Sequence, residues 1–135
     1  MKFTQLSIPG VWLVEPERYG DARGYFMESF KLSEFRANVG EVNFVQDNES
    51  VSSRGVLRGL HFQKGEFSQA KLVRVSQGTV LDVAVDLRGG SRTYGKHVAV
   101  ELSQENARQL FIPRGFAHGF VVLSDMAQFQ YKVDN

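Results

Sequence analysis

The sequence predicts an all-β domain, either a β-sandwich or a jelly roll, with one short helix. Short runs of apolar and β-branched residues recur along the chain, separated by turns rich in Gly, Pro, Asn and Ser. Only one stretch has the spacing and boundary residues of a helix. Eleven Phe residues against one Trp give a mild aromatic excess that suits a packed all-β interior. Many short strands with almost no helix are typical of sandwiches and jelly rolls.

In the amino-terminal half, turn signals divide the chain into short segments. Strands are expected at residues 11–14, 24–30, 43–49 and 56–63, with a loop at 16–23 and turns at 50–55. The one predicted helix covers residues 32–38, with Ser33 as a possible N-cap and Gly40 as its stop.

The carboxyl-terminal half has the most regular pattern. Strands are expected at residues 71–77, 79–87, 97–102, 109–112, 117–123 and 127–133. The dipeptide Gln77-Gly78 separates the first two of these strands and predicts a compact hairpin between them.

The strand at residues 79–87 has two unlike faces. Leu81, Val83, Val85 and Leu87 alternate with Asp82, Ala84 and Asp86, so both carboxylates lie on the less apolar face. Two interpretations of these carboxylates remain open: they orient an imidazole, or they are solvated.

Length and composition limit the kinds of protein that this chain can be. The 135 residues fit a single domain over residues 1–135, with one core. A net charge of +1 gives no indication of a nucleic-acid surface. The absence of Cys excludes disulfides, thiolate zinc sites and a cysteine nucleophile. A polar amino terminus and the lack of an apolar run near roughly 20 residues predict a soluble protein of the cytoplasm, without a signal peptide or membrane helix.

The stretch Val-Leu-Arg-Gly-Leu-His-Phe-Gln at residues 56–63 is the strongest candidate for a functional site. Arg58 can grip a phosphate or carboxylate, and His61 can accept a proton near neutral pH. Strict strand alternation would put these two side chains on opposite faces. Either Gly59 bends the strand, or Arg58 reaches a ligand from another side. A purely structural role for His61, as a core histidine bonded to a carbonyl, also remains open.

Three further side chains are candidates, each with a structural alternative. Lys71 opens the strand after the loop and, in a hairpin-like pairing, could approach His61 to stabilise an oxyanion; otherwise it protects a strand edge. His118 lies among small residues that allow close approach to the backbone, or it is a structural histidine. Tyr131 can act as a general acid, or it packs in the core with Phe129.

No metal site and no phosphate-binding loop is predicted. Metal-binding jelly rolls usually carry two His one residue apart, whereas Gln63 stands two positions after His61, and His97 and His118 are far away in sequence. Gly89-Gly90 is not followed by the helix and Lys of a phosphate-binding loop.

Several blocks of the sequence resemble the dTDP-4-dehydrorhamnose 3,5-epimerases. The matching blocks run in order over nearly the whole chain: Asp-Ala-Arg-Gly-Tyr-Phe-Met-Glu-Ser-Phe (21–30), Gln-Asp-Asn-Glu-Ser (46–50), Val-Leu-Arg-Gly-Leu-His-Phe-Gln (56–63), Ala-Lys-Leu-Val-Arg-Val (70–75), Asp-Val-Ala-Val-Asp-Leu-Arg (82–88) and Ile-Pro-Arg-Gly-Phe-Ala-His-Gly-Phe (112–120). Several of these blocks are specific to the family.

The resemblance implies a cupin-type jelly roll that forms a homodimer and works without a metal or organic cofactor. It implies the substrate dTDP-4-dehydro-6-deoxy-glucose, epimerised at C3 and C5 to dTDP-4-dehydro-L-rhamnose. His61 becomes the proton acceptor and Tyr131 the proton donor. The implied substrate contacts are Arg23, Glu28, Gln46, Asn48, Arg58, Lys71 and His118, with Arg23 and Glu28 offered across the dimer to the partner's site.

The chemistry of this reaction agrees with the residues present. The C4 ketone acidifies the protons at C3 and C5, and Lys71 suits the enolate oxygen. Family members continue past Asn135 with a tail that supplies a thymine-stacking aromatic and an acidic partner for the histidine base, so the chain is expected to be carboxyl-terminally short. Two alternatives stay open: a single-position epimerase or ketoisomerase, and a catalytically impaired or non-enzymatic sugar-nucleotide-binding jelly roll.

Overall fold

Two antiparallel sheets form the body of the protein. The computed structural model describes residues Met1–Asn135. In chain order its strands are β1 (Lys2–Gln5), β2 (Trp12–Glu15), β3 (Arg18–Asp21), β4 (Gly24–Met27), β5 (Gln46–Ser53), β6 (Leu57–His61), β7 (Lys71–Gln77), β8 (Thr79–Asp86), β9 (His97–Ser103), β10 (Gln109–Ile112), β11 (Phe116–Val122) and β12 (Met126–Val133). A helix, α1 (Leu32–Asn38), and a single 3₁₀ turn (Gly65–Phe67) complete the structure.

The strands divide between the two sheets in an order that differs from the chain order. One sheet has six strands, β1-β2-β10-β7-β12-β5, and the other has four, β6-β11-β8-β9, while β3 and β4 form a separate hairpin. Every recorded strand pair is antiparallel. The predicted all-β class, a jelly-roll sandwich with one short helix, is confirmed.

The main core lies between the two sheets, where alternate residues of each strand point inward. On β12, Phe129 is buried and stacks on Phe120 of β11, with ring centroids 4.1 Å apart. Val73, Val80 and Leu102 add fully buried aliphatic side chains from three other strands. This apolar packing holds the two sheets face to face.

Helix α1 covers the outer face of the six-stranded sheet. Its one buried residue, Phe35, packs edge-on against Phe111 of β10, with centroids 5.3 Å apart, and lies 5.3 Å from Phe44. The predicted bounds of the helix are confirmed, but its N-cap is Lys31, so the prediction of Ser33 is wrong. Lys31 makes no side-chain cap hydrogen bond, which indicates that burial of Phe35 stabilises this seven-residue helix more than its cap does.

The predicted hairpin at Gln77-Gly78 is wrong. Strand β7 pairs with β10 and β12, and β8 pairs with β11 and β9, so the chain crosses from one sheet to the other at this turn. Gly78 has φ +81° and lies directly against the backbone at Met126 and Ala127. Because of its positive φ and its close packing, only a glycine fits at this turn, where the chain passes from one sheet to the other.

Several predictions in the amino-terminal half also differ from the structure, including the strand expected at 24–30, which ends at Met27. The strand expected at 43–49 begins at Gln46 and continues to Ser53, so it takes in residues 50–53 of the turn predicted at 50–55. The expected loop at 16–23 contains β3, because Arg18–Asp21 pairs with the next strand to form a hairpin that neither sheet includes. A first strand, Lys2–Gln5, was not predicted, because its polar sequence gives no buried face.

The single α-helix has seven residues. No helix in the structure has both the length and the apolar character that crossing a bilayer requires.

Candidate active site

A bulge at Gly59 resolves the conflict between Arg58 and His61. Gly59 has φ +104°, and the pairing of β6 with β11 shifts register there. As a result Arg58 lies opposite Phe120 and His61 lies opposite His118. Phe120 and His118 are buried between the sheets, so both β6 side chains lie on the inner face of their sheet, although both remain exposed at its open edge. Of the two alternatives that the sequence left open, the bend at Gly59 is the observed one.

His61 and Lys71 border the same small cavity, of about 40 Å³. Its other lining residues are Gln63, Gln69, Gly115 and Phe116. The hairpin-like pairing predicted for these two side chains is wrong, because β6 pairs with β11 and β7 lies in the other sheet. The two residues approach each other across the sandwich instead.

Lys71 also reaches Tyr131. Its ammonium nitrogen lies 5.5 Å from the centroid of the Tyr131 ring, a distance at which a cation is attracted to the aromatic face. The same ring packs against the core cluster, 5.9 Å from Phe129. Burial lowers the pKa of Lys71, and the negative charge of Asp82 opposes that shift. Lys71 therefore connects the histidine of one sheet with the tyrosine of the other.

His118 forms a buried pair with Asp82. The His118 Nε2 and the Asp82 Oδ1 atoms are 2.7 Å apart, and the carboxylate has no exposed surface. Burial raises the pKa of Asp82, whereas His118 and Lys71 lower it. The interpretation of Asp82 as a solvated side chain is therefore wrong. The structure shows the other alternative, in which Asp82 orients an imidazole, that of His118.

Asp86 is also buried, so the solvated interpretation is wrong for it too. Its carboxylate accepts hydrogen bonds from Arg88, Ser91 and Thr93 and orients no imidazole. Burial alone would raise the pKa of Asp86, but these hydrogen bonds outweigh it and hold the pKa well below its usual range. The buried face of β8 is therefore the one that carries the two carboxylates. Their burial is tolerated because each carboxylate has a hydrogen-bond partner inside the protein.

The edge strand β5 contributes polar groups beside Tyr131. Asn48 lies directly opposite Tyr131 and accepts a hydrogen bond of 2.8 Å from the side chain of Gln46. Farther along the strand, the buried Ser52 accepts a hydrogen bond of 2.8 Å from Arg58 Nε. Ser52 was missed by the sequence analysis, since it fell within a stretch interpreted as a turn.

Arg23 and Glu28 do not join this group in one chain. Arg23 sits at the tip of the β3–β4 hairpin, where it is 90% exposed and forms an ion pair with Asp21. Glu28 follows β4 and is exposed. The hairpin also exposes aromatic side chains, with Tyr25 at 50% and Phe26 at 70%.

A larger cavity, of about 430 Å³, lies on the opposite, outer face of the six-stranded sheet. Asp47, Glu49, Gln130 and Lys132 border it, and two hydrogen bonds already pair them: Lys132 with Asp47 and Gln130 with Glu49. Tyr131 borders this cavity from its strand, but its ring lies on the inner side with Phe129 and Lys71. The candidate base, acid and cation therefore belong to the interior of the sandwich.

No group of three or more His, Cys, Asp or Glu side chains is arranged to hold a metal ion. The only histidine ion pair is that of His118 with Asp82, which lies between strands β11 and β8.

Comparison with known proteins identifies the family. The family model described as dTDP-4-dehydrorhamnose 3,5-epimerase matches residues 5–135. The dTDP-4-dehydrorhamnose 3,5-epimerase of Escherichia coli is 56% identical over 136 residues, covering 100% of this chain and 74% of that protein. The enzyme of the same name from Methanothermobacter thermautotrophicus is 58% identical over 131 residues, covering 97% of this chain and 70% of that protein.

A solved structure gives the same result at the level of the fold. The dTDP-6-deoxy-D-glucose-3,5-epimerase of Legionella pneumophila, in complex with dTDP-4-keto-L-rhamnose, superposes with a TM-score of 0.95 at 51% identity, covering 99% of this chain and 71% of that one. Sequence, fold and family model agree over nearly the whole chain. The chain therefore belongs to the dTDP-4-dehydrorhamnose 3,5-epimerases, a family of isomerases that act on a nucleotide-activated sugar.

Proposed function

We propose that this protein epimerises C3 and C5 of dTDP-4-dehydro-6-deoxy-glucose, giving dTDP-4-dehydro-L-rhamnose in the cytoplasm. The observation that carries the proposal is the position of Lys71, which shares a cavity with His61 and lies 5.5 Å from the Tyr131 ring. A base, a cation and a phenol thus converge from both sheets. Membership of the family supplies the substrate class.

His61 starts each epimerisation as the general base. The C4 ketone withdraws electrons from the neighbouring carbon, and the imidazole removes the proton of that C–H bond. The electron pair moves onto the C4 oxygen and forms an enolate. The Lys71 ammonium stabilises this charge, and it does so more strongly in the partly buried site than it would in water.

Tyr131 completes the inversion as the general acid. Its phenol donates a proton to the same carbon from the face opposite His61, so one C–H bond is broken and one is made. The phenolate and the imidazolium then exchange protons with solvent, which restores both groups. His61 lies on β6 of one sheet and Tyr131 on β12 of the other, an arrangement that suits attack from two faces.

Polar side chains at the open edge of the sandwich hold the rest of the substrate. The Arg58 guanidinium has the fork geometry that suits a diphosphate. Gln46 and Asn48 offer amide groups on the edge strand β5, and His118 on β11 of the other sheet is a further contact. These four residues are the proposed substrate-binding set of one chain.

A homodimer would bring Arg23 and Glu28 to the substrate. Both residues lie on or beside an exposed hairpin with uncovered aromatic rings, a surface typical of a protein–protein interface. Mixing an Arg23→Ala variant with a His61→Ala variant tests this arrangement. If sites are shared, random exchange of subunits restores about one quarter of the parental activity, because half of the dimers contain one intact site. No recovery in a mixture shown to contain heterodimers would contradict the shared site.

Hydrogen exchange tests the reaction itself. In heavy water, the parent protein should introduce deuterium at both C3 and C5 of the substrate. His61→Ala should abolish this exchange, while His97→Ala should not, because His97 is exposed at the start of β9 in another part of the sheet. Exchange at one carbon alone would indicate a single-position epimerase. Binding of dTDP without any exchange would contradict catalysis.

A further inference from the structure

The carboxylate of Asp82 is unusually placed for a charged group. It has no exposed surface, and only one of its oxygens, Oδ1, has a hydrogen-bond partner, the Nε2 atom of His118. The other oxygen, Oδ2, is buried without a partner. Burying a carboxylate with one oxygen unpaired disfavours its charged form. A nearby positive charge is therefore needed to keep Asp82 ionised.

We propose that Asp82 is a positioning residue for the epimerisation: it keeps the Lys71 ammonium charged and holds the His118 ring with its Nε2–H toward Asp82. The proposal rests on the function proposed above. Because Asp82 has no exposed surface, it does not touch the substrate and acts through these two neighbours.

The charges around Lys71 single out Asp82. Ionisable groups face this part of the interior from four other strands: His61 and Arg58 from β6, Asp82 from β8, His118 from β11 and Tyr131 from β12. Strand β5 contributes only amide and hydroxyl groups there. Asp82 is the one carboxylate among these groups, so it is the one that carries a negative charge when ionised near neutral pH. The other buried carboxylate of β8, that of Asp86, is held by Arg88, Ser91 and Thr93.

The direction of the effect follows from these charges. Burial lowers the pKa of Lys71, and the negative charge of Asp82 raises it. Removing the charge while keeping the shape of the side chain, as in Asp82→Asn, leaves burial unopposed. The pKa of Lys71 then falls further, and a smaller fraction of the protein carries the ammonium that stabilises the enolate.

The pH dependence of kcat tests the proposal. In Asp82→Asn the alkaline limb of kcat should move to lower pH, with a loss of activity of about tenfold at alkaline pH relative to neutral pH. KM should change little, because the amide oxygen of Asn can still accept the His118 hydrogen bond, and the ammonium acts mainly on the charge that develops in the transition state. Asp86→Asn is the matched control, because it changes a buried carboxylate of the same strand. In this variant the alkaline limb of kcat should stay at the same pH as in the parent. An unshifted limb in Asp82→Asn, or an equal shift in Asp86→Asn, would overturn the proposal.

A second measurement does not depend on activity. ¹⁵N NMR of the full chain can follow the titration of Lys71 Nζ and the protonation of the imidazole nitrogens, and only three histidines need assignment. The proposal expects a proton on Nε2 of His118 in the parent, and a lower midpoint for Lys71 in Asp82→Asn than in Asp86→Asn. An unchanged midpoint overturns it. A lowered midpoint in a protein that exchanges no substrate hydrogen would support the positioning of Lys71 while refuting the proposed reaction.

Discussion

Arg58 and Ser52 join the open edges of the two sheets. Arg58 Nε on β6 donates a hydrogen bond of 2.8 Å to the hydroxyl oxygen of Ser52 on β5, and each strand is the last of its sheet. The bond uses only Nε, so the two terminal nitrogens of the guanidinium stay available for a ligand. Ser52 therefore fixes the direction of the side chain that we propose as the diphosphate contact.

Replacing these two residues should affect binding to different extents. In Arg58→Ala, KM for the dTDP-sugar should rise about 10- to 100-fold with a smaller change in kcat, because a charge-assisted contact to the diphosphate is lost. Ser52→Ala keeps the guanidinium but frees its direction, so its KM should rise less. Steady-state kinetics and calorimetric titration with dTDP measure both effects. Equal binding by Arg58→Ala and the parent would show that this arginine does not contact the nucleotide.

Tyr131→Phe should separate proton removal from inversion. The ring keeps its contacts with Phe129 and Lys71, so the fold should be retained. Loss of the phenol should lower the rate of epimer formation by about 10²- to 10⁴-fold. His61 should still exchange the substrate hydrogen with deuterium from solvent, on its own face. NMR of the sugar in heavy water measures both rates, and inversion at the parental rate would remove Tyr131 from the mechanism.

Gly59→Ala should damage both stability and catalysis. A Cβ atom at this position would lie 2.6 Å from the carbonyl oxygen of His118, on a backbone with φ +104°. We expect a loss of about 2–4 kcal/mol in the free energy of unfolding. The bulge that turns His61 inward should also be disturbed, so kcat should fall.

Gly89→Ala is the control for this substitution, because a Cβ atom there meets no atom within 4 Å. Its free energy of unfolding should stay within about 0.5 kcal/mol of the parent. Urea denaturation measures both variants. If Gly59→Ala were as stable and as active as Gly89→Ala, the bulge would not be required for the site.

Asp86 should make folding sensitive to acid. Hydrogen bonds outweigh the effect of burial and lower the pKa of Asp86 in the folded protein. Below its ordinary pKa, about 3.9, the unfolded chain therefore binds a proton that the folded chain does not. The stabilisation from Asp86 is present above that pH and is lost as the pH falls toward the lower folded value.

Asp86→Asn should therefore flatten the dependence of stability on pH below about pH 4. At neutral pH it should cost about 2–4 kcal/mol, because Arg88 loses its buried partner. Asp125→Asn, at a 96% exposed carboxylate paired with Arg54, should change neither quantity appreciably. Thermal unfolding between pH 3 and pH 7, by calorimetry, distinguishes the two. An equally steep acid limb in Asp86→Asn would contradict the assignment.

The sequence was sufficient for the fold class, because alternation and turn signals are local. The helix Leu32–Asn38 and most strands of the second half were predicted close to their observed bounds. The sheet to which a strand belongs is not a local property. Gln77-Gly78 has the composition of a hairpin turn, yet the contacts of Gly78 with the backbone at Met126 and Ala127 carry the chain across to the other sheet.

The candidate site was predictable in its chemistry but not in its geometry. Residue types and the family resemblance suggested His61, Lys71 and Tyr131. The inward turn of His61 depends on the register shift with β11, whose His118 lies opposite His61 but far along the chain from it. The pairing of Asp82 with His118 could be raised only as an alternative, because alternation shows a face but not which partner lies across it.

The crossing at Gly78 has a consequence for how this protein acquires its activity. Consecutive strands β7 and β8 lie in different layers, so neither layer can be completed by a local segment of the chain. Most pairings join distant segments, a topology associated with slow folding. Lys71 comes from one layer and His61 from the other, so a nascent chain with either layer alone would have no functional centre. Catalytic activity should therefore appear only when the two sheets pack together at the end of folding. Inactive molecules in a preparation would then indicate chains whose sheets have not packed completely.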